Sequence, residues 1–257
     1  MSVQQQRDYR AVNGEAWDYL ATHGSDSSQP YDAAGLAQAR AGFLAQPWIP
    51  LDGVRTVLCL AAGGGQQGPL FASLGYEVTV VDLSTEQLDR DRQAARALGL
   101  TVECVQADML DLSPLAGRRF DVVHQPISAC YVPSVERLYR QVAGVLRPGG
   151  WYDVEHWNPV HVQLTGLGTW DGAYTVARPQ APGTRVPWVP GDSSGVVCWH
   201  YVHRLEDLIG GLCRTGFTVH RVAERAYGDA GAPPGSHEHL AAYVPPFFRL
   251  LAKRGNL

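Results

Sequence analysis

Hydrophobic and polar residues alternate along this chain in the rhythm of a parallel α/β sheet. Short apolar runs that suit buried strands are separated by amphipathic segments with helical spacing. We therefore predict an α/β fold with a mostly parallel sheet and helices on both faces. The predicted strands are residues 56–61, 77–81, 101–105, 120–124, 151–155, 217–222 and 247–252.

Helix signals fill the gaps between these strands. Residues 7–20 and 33–44 have helical patterns, and Ser84 followed by Gln87 has the spacing of a capping box. Ser134 can cap a further helix with a continuous apolar face, which the run "RPGG" ends. Residues 205–213 restore a helical face, whereas the composition of residues 229–245 predicts a loop.

The regular alternation fails in two parts of the chain, and this suggests the domain organisation. Residues 1–50 are predicted to form an N-terminal helical cap, and residues 51–257 the core. Within the core, residues 157–200 form an insert, since five of the seven tryptophans lie in residues 151–199. We expect this insert to be a lid over the functional site.

Charge and composition favour a small-molecule protein. The net charge is −4, the basic residues are scattered, and no apolar run is long enough to span a membrane. The five cysteines are spread singly, which argues against a zinc ribbon or a disulfide framework. We expect a cytoplasmic monomer or homodimer with no nucleic-acid or membrane partner.

The first predicted strand ends in the glycine-rich stretch "TVLCLAAGGGQQGPL". Gly63, Gly65 and Gly68 fit the GxGxxG pattern, and Asp82 lies 19 residues beyond Gly63. Glycines allow a ligand to approach the backbone closely, so the pattern fits a dinucleotide or an adenosyl ligand. The alternatives are a plain turn for the glycines and a strand-end cap for Asp82.

The third predicted strand leads into Asp108 and Met109. A carboxylate here can accept a hydrogen bond from an adenine amine, and a methionine can lie on the purine face. An ordinary turn aspartate and a core methionine would explain the same residues. Polar signals at three successive strand ends nevertheless favour one ligand site at the carboxyl edge of the sheet.

Residues 51–155 resemble the class I S-adenosylmethionine-dependent methyltransferases. The resemblance rests on "VLCLAAGGGQQ", "VVDLS", "VQADMLDL", "FDVVHQPIS" and "VLRPGGWYDVE", in that order. It implies a Rossmann-like sheet of seven strands with an antiparallel C-terminal strand, and S-adenosylmethionine as cofactor. The chain departs from the family pattern at Ala61, because many members carry an acid before the glycine loop.

The resemblance also assigns cofactor-binding positions. Asp82 is expected to hold the ribose diol, Asp108 to face the adenine amine, and Gln125 and Ser128 to lie near the sulfonium. Tyr9, Asn13 and Trp17 are expected to close over the site from the cap. The remaining cofactor positions are Ala61, Ala62, Gly63, Gly64, Gly65, Gln66 and Gln67 around the methionine part, with Leu83, Ser84, Gln87, Ala107, Met109 and Pro126 flanking the nucleoside.

The aromatic insert predicts a flat, apolar substrate, with Trp157, Trp170 and Trp188 as walls. The alternative is that these rings form the insert's own core. A base is needed only if the acceptor must lose a proton early. His124 and His156 follow predicted strands and are the leading candidates, with Tyr131 next. Other candidates are Glu155, His161, His200 and His203. The histidine spacings do not fit a metal site, and no metal is expected.

The favoured function is therefore methyl transfer to carbon, oxygen or nitrogen of a small, planar aromatic natural product, either indole-like or phenolic. One alternative is an NAD(P)-dependent oxidoreductase using the same glycine loop. This alternative lacks support because short-chain oxidoreductases need a Tyr-xxx-Lys pair, and Lys253, the sole lysine, is not part of one. A non-catalytic cofactor-binding module is the third possibility.

Overall fold

The computed structural model describes residues 8–25, 28–165, 170–177, 179, 181, 183–188, 195–225 and 227–255. Its strands are β1 (Thr56–Leu60), β2 (Glu77–Asp82), β3 (Glu103–Gln106), β4 (Phe120–Gln125), β5 (Leu146–Trp157), β6 (Leu164–Thr165), β7 (Thr175–Val176), β8 (Arg185–Trp188), β9 (Cys198–Tyr201), β10 (Phe217–Arg225) and β11 (Phe247–Arg254). Its helices are α1 (Tyr9–Thr22), α2 (Ala33–Ala45), α3 (Gln67–Ser73), α4 (Thr85–Ala97), α5 (Val135–Val145), α6 (Pro159–Gln163), α7 (Gly211–Arg214) and α8 (His237–Tyr243).

Seven strands form the central sheet in the order β10-β11-β5-β4-β1-β2-β3. β11 runs antiparallel to both of its neighbours, and the other pairings are parallel. The predicted fold class is thus confirmed. The chain moves outward from β1 through β2 to β3, and then returns to place β4 on the other side of β1. This reversal creates a crevice at the carboxyl ends of β1 and β4, where open α/β sheets bind ligands.

The sheet is buried on both faces because successive side chains of each strand point to opposite sides. Leu58 and Leu60 pack into one apolar core with Val123 of β4 and Leu138 of α5. The intervening β1 residues face the other core, which contains Phe71 of α3 and Leu88 of α4. Helices on both faces hold the strand ends, and hence the crevice, in a fixed geometry.

Helix starts follow the capping residues that the sequence indicated. The Ser84 hydroxyl accepts from Gln87 N at 3.1 Å at the start of α4, and Ser134 caps α5 through Arg137 N. These side chains satisfy backbone donors that have no partner within the helix. Ser84 therefore also fixes where α4 begins relative to Asp82, two residues earlier.

The structure differs from the prediction in two places. Residues 229–245 are not all loop, because Ser236 caps α8 by accepting from His239 N at 3.1 Å. Glycine and proline are frequent in the residues just before this helix, and their presence led to the prediction of a loop. The second difference is that β5 begins at Leu146, so the run Arg147–Gly150 lies within the strand. A shift in the β4–β5 register between Phe120 and Val122 accommodates it.

The insert contributes two small antiparallel pairs, β6 with β7 and β8 with β9. The β8–β9 pair lies beside α1, and α1 in turn packs on α4. The two parts of the chain that interrupt the α/β alternation, the N-terminal cap and the insert, therefore meet near the crevice.

Candidate cofactor and active site

A cavity of about 390 Å³ opens at the carboxyl ends of β1, β2 and β4. Its volume is within the range of small-molecule sites, and apolar surface predominates in its lining. Its lining comprises Tyr9, Asn13, Trp17, Ala61, Ala62, Gly63, Gln66, Gln67, Val81, Asp82, Leu83, Gln87, Ala107, Asp108, Met109, Pro126, Ile127, Ser128, Tyr131, Val132, Glu155, Trp157, Trp188 and Phe247. Most of the predicted cofactor positions thus share one cavity.

Two carboxylates accept hydrogen bonds from backbone N–H groups of the glycine loop. Gly63 N donates to Asp82 Oδ2 at 3.0 Å, and Gly64 N donates to Asp91 Oδ2 at 2.9 Å. Ala61 has a φ of 47° and Gly65 a φ of 81°, so the chain turns sharply here. The buried Asp91 was not predicted, although it lies one helical turn after Gln87 on α4.

Close packing inside the protein also requires the glycines. A Cβ on Gly63 would lie 2.5 Å from Gln87 Cβ, and one on Gly65 would lie 2.8 Å from Pro30 Cβ. On Gly68 it would lie 2.7 Å from Val80 Cγ2. The loop has room for glycine only, because α4, β2 and the N-terminal segment press on it. Access of a ligand to the backbone, the reason inferred from sequence, is therefore only part of the explanation.

Burial governs the charge of both supporting carboxylates. It raises the pKa of Asp82, although N–H donation from Ser84 and Gly63 partly opposes the change. Burial raises the pKa of Asp91 to about 7, with weaker opposition from the loop amides. Asp82 lines the cavity, whereas Asp91 lies beneath the loop and outside the lining.

Asp108 is held in place at the end of β3 by the cap. Its Oδ2 accepts from the Tyr9 hydroxyl at 2.5 Å, and its Oδ1 accepts from Leu110 N at 2.9 Å. Burial, reinforced by the Asp108 carboxylate, raises the pKa of Tyr9, which therefore keeps its proton. Met109 lies next to this carboxylate in the same lining.

Gln125 is buried behind the cavity and does not line it. Its Nε2 donates to Ser128 Oγ at 2.8 Å and contacts Met109 Sδ at 3.5 Å, and its Oε1 accepts from the Tyr152 hydroxyl. Gln125 therefore contacts two lining residues, Met109 and Ser128, from behind the cavity. Gly64, Gly65 and Ser84 are likewise supporting positions outside the lining.

The end of the cavity beyond the glycine loop is aromatic; we call it the acceptor end. Tyr131, Trp157, Trp188 and Phe247 contribute rings there, and Glu155 contributes a carboxylate. The Trp157 and Phe247 ring centroids are 4.5 Å apart because these residues are paired between β5 and β11. Sequence reasoning missed Phe247 as a lining residue. It predicted an antiparallel C-terminal strand from residue 247, but not the register that pairs Phe247 with Trp157.

Trp170, predicted as a substrate wall, lies elsewhere. Its ring packs 4.7 Å from Tyr174 and 4.7 Å from His239 of α8, and it also contacts Tyr243. Trp170 therefore packs partly within the insert, against Tyr174, and partly on α8, outside the insert. Trp157 and Trp188 do reach the cavity.

Neither leading histidine reaches the cavity. His124 Nδ1 bonds to Asp153 Oδ2 at 2.6 Å, and Arg249 Nε donates to Asp153 Oδ1 at 2.6 Å. The His124 ring faces Phe71 because alternate β4 residues point to opposite faces. Burial raises the pKa of Asp153, but hydrogen bonds from His124 and Arg249 outweigh it and hold the pKa below its usual value.

His156 lies on the other face of β5 and is fully enclosed. Its Nε2 bonds to the Tyr139 hydroxyl at 3.2 Å, and burial lowers its pKa to about 3. It is therefore neutral at physiological pH, and it does not line the cavity. Tyr131, the third candidate, does line the cavity, but burial raises its pKa and it stays protonated.

Two further observations concern the described part of the chain. Within it, no group of three or more histidine, cysteine, aspartate or glutamate side chains is arranged to hold a metal ion. Among the same residues, no helix is long and apolar enough to cross a membrane.

Comparison with known proteins identifies the family. Residues 58–153 match the family described as methyltransferase domain. The chain is 31% identical over 227 residues to the uncharacterized methyltransferase YbaJ of Bacillus subtilis, covering 81% of this chain and 88% of that protein. The chain belongs to the S-adenosylmethionine-dependent methyltransferases.

Solved structures agree with this assignment. An S-adenosylmethionine-dependent methyltransferase from Mesorhizobium loti is 25% identical, with a TM-score of 0.62, and the match covers 85% of this chain and all of that one. The CcbJ methyltransferase from Streptomyces caelestis shares the fold at 17% identity and a TM-score of 0.61, over 97% of this chain and 100% of that one. The methyltransferase hypothesis is confirmed, and S-adenosylmethionine is the cofactor, which excludes the oxidoreductase alternative.

Proposed function

We propose that this methyltransferase acts on a small, planar aromatic acceptor, indole-like or phenolic. The observation that carries the proposal is the acceptor end, where Tyr131, Trp157, Trp188 and Phe247 surround the cavity. Aromatic side chains stack favourably on flat rings and exclude water from them. The described lining contains no cluster of basic side chains that would suit a nucleic acid or a phosphorylated acceptor.

We also propose how the lining holds the cofactor. Asp82 and Asp108 are hydrogen-bond acceptors at neighbouring strand ends, which suits the ribose hydroxyls and the adenine amine. Leu83 and Met109 supply apolar surface for the purine, and the loop residues in the lining surround the methionine part: Ala61, Ala62, Gly63, Gln66 and Gln67. This placement is supported by backbone N–H groups that donate to both carboxylates and so already fix their orientations.

Methyl transfer requires little covalent chemistry from the protein itself. When bound, the cofactor supplies an electrophilic methyl group. The chain's own residues hold the acceptor in line and keep water away, and orientation alone can lower a barrier by roughly 7–11 kcal/mol. Trp157 and Trp188 would fix the plane of the acceptor ring.

A proton acceptor, where the acceptor atom requires one, is better sought at Glu155 than at a histidine. Glu155 lines the acceptor end, whereas His124 and His156 do not line the cavity. Tyr131 retains its proton and is suited to donating a hydrogen bond to the acceptor. Carbon, oxygen and nitrogen acceptors remain equally compatible with this arrangement.

The direct test is an acceptor screen with S-adenosylmethionine. Purified protein is incubated with phenols, indoles, anilines and matched saturated-ring alcohols and amines, and S-adenosylhomocysteine formation is followed by mass spectrometry. We expect turnover with planar aromatic members and at least tenfold less with saturated ones. Equal or faster turnover of the saturated compounds would contradict the proposed substrate class.

A pair of tryptophan variants localises the effect. Trp188→Ala removes a cavity wall and should lower kcat/KM for the aromatic acceptor at least tenfold, about 1.4 kcal/mol, while cofactor affinity stays within threefold. Trp170→Ala removes a ring of the same insert outside the cavity, and should leave both quantities within threefold. Equal losses in the two variants would place the acceptor elsewhere.

A further inference from the structure

A small apolar cluster beside the cavity brings together segments that are far apart in sequence. Ala16 of α1 packs there with Cys130, Tyr131 and Cys198, and Trp17 and Trp188 pack against them. This cluster is separate from the two cores that bury the sheet. The cap and the β8–β9 pair therefore share a core of their own.

One polar side chain lies at the centre of this junction. Asn13 is only 2% exposed. Its Nδ2 donates to Tyr131 O and to Trp199 O, both at 3.2 Å, and its Oδ1 accepts from Trp199 N at 2.7 Å. Asn13 lines the cavity as expected, and both polar atoms of its amide bond to protein backbone.

Trp199 directs both of its backbone polar groups to Asn13 of α1. Trp199 is opposite Pro187 in the β8–β9 pair, and proline has no N–H to donate to the Trp199 carbonyl. Asn13 supplies a donor for that carbonyl as well as an acceptor for Trp199 N. An asparagine amide, with a donor and an acceptor side by side, matches a peptide edge in a way that most side chains do not.

The same helix makes contact with the cofactor half of the cavity. Tyr9 donates to Asp108, and Ser84 Oγ donates to Asp18 Oδ1 at 2.5 Å, directly beyond Asp82. α1 is therefore bonded to the ends of β2 and β3 through these contacts and to β9 through Asn13. α1 therefore links the end of the cavity at Asp82 and Asp108 to the β8–β9 pair that carries Trp188.

We propose that Asn13 is a positioning residue that couples cofactor binding to the ordering of the acceptor wall. The hydrogen bonds of its amide make α1 and the β8–β9 pair move together. When the nucleoside part of the cofactor binds, Trp188 is therefore held in the cavity wall. The proposal rests on the proposed placement of the cofactor between Asp82 and Asp108.

The test measures hydrogen–deuterium exchange of the full chain with and without saturating S-adenosylhomocysteine, the cofactor lacking its methyl group. In wild type, the ligand should slow exchange at least fivefold in both α1 and β9. In Asn13→Ala, the ligand should still slow exchange at least fivefold in α1 but less than twofold in β9.

Two further variants make the result specific. Asn158→Ala removes another buried asparagine, which caps α6 through Val160 N at 3.0 Å and does not join α1 to β9. It should keep the full ligand-induced protection of β9. Asn13→Asp retains an acceptor for Trp199 N but loses both donated bonds, and it gives the same test if the alanine variant does not fold.

The outcomes separate the coupling from the cofactor placement. Ligand-induced protection of β9 that is equal in wild type and both Asn13 variants overturns the coupling alone. Calorimetry that shows no binding of S-adenosylhomocysteine to wild type overturns the cofactor placement, and the coupling with it. Selective loss of β9 protection in the Asn13 variants supports the proposal.

Discussion

The two halves of the cavity are built in different ways. The cofactor half comes from the ends of β1, β2 and β3, within residues 61–109, and neighbouring parallel strands bring it together. The half proposed for the acceptor combines Tyr131, Glu155, Trp188 and Phe247 with α1, and its members come from five separate segments. The first half is set by local sequence and strand order, and the second by long-range packing.

This difference has consequences for substitutions. In the cofactor half, tight backbone contacts leave no room for added atoms, so small changes should have large effects. In the acceptor half, side chains contribute through the surface they present, so the effects should be graded. Aromatic walls can also change independently of the loop, which allows one fold to serve many acceptors.

The largest effect is expected for Gly63→Ala. The new Cβ would lie 2.5 Å from Gln87 Cβ and 3.0 Å from Asp82 Oδ2, so the loop must move. We expect S-adenosylmethionine affinity in calorimetry to fall at least 100-fold, about 2.7 kcal/mol. Gly42→Ala in α2 is the control, since its Cβ would meet nothing within 4 Å. Unchanged affinity in Gly63→Ala would mean that the loop does not contact the cofactor.

Asp82→Ala is expected to have the next largest effect. It removes the acceptor assigned to the ribose hydroxyls and the partner of Gly63 N, and it should weaken cofactor binding at least tenfold, about 1.4 kcal/mol. Asp89→Ala is a matched control, because Asp89 is an exposed α4 residue paired with Arg92 at 2.6 Å. An unchanged titration curve for Asp82→Ala would refute the ribose assignment.

Buried groups outside the cavity lining should respond oppositely to pH. Folding raises the pKa of Asp91 from 3.8 to about 7, so between these values the folded state binds more protons and stability falls as pH rises. Folding lowers the pKa of His156 and of His200 from 6.5 to about 3, so over that window the unfolded state binds more protons and stability rises with pH.

Asp91→Asn removes the first contribution and keeps an acceptor for Gly64 N. Relative to wild type, its free energy of unfolding should gain on the order of 1 kcal/mol for each pH unit between pH 5 and 7 in urea titrations. His156→Gln should show the reverse trend, flattening the rise of stability with pH between pH 4 and 6. Parallel pH profiles for wild type and both variants would contradict the assigned protonation states.

The candidate site was predictable where adjacent residues determine it. The positions of Gly63, Asp82 and Asp108 followed from strand ends, because parallel strands end at one edge of the sheet. Side-chain direction was harder: His124 and His156 stand at the correct strand ends but point away from the cavity. A one-residue difference in a strand reverses the face, and the sequence did not define these strand bounds to one residue.

The sequence by itself determined the α/β fold, the family resemblance and the cofactor edge, since apolar periodicity and the glycine loop are encoded locally. Only the tertiary structure decided which aromatic residues line the cavity. It separated Trp188 from Trp170, placed Phe247 beside Trp157, and made Asn13 a bond between α1 and β9. Such contacts depend on how distant segments pack, and no short stretch of sequence records that geometry.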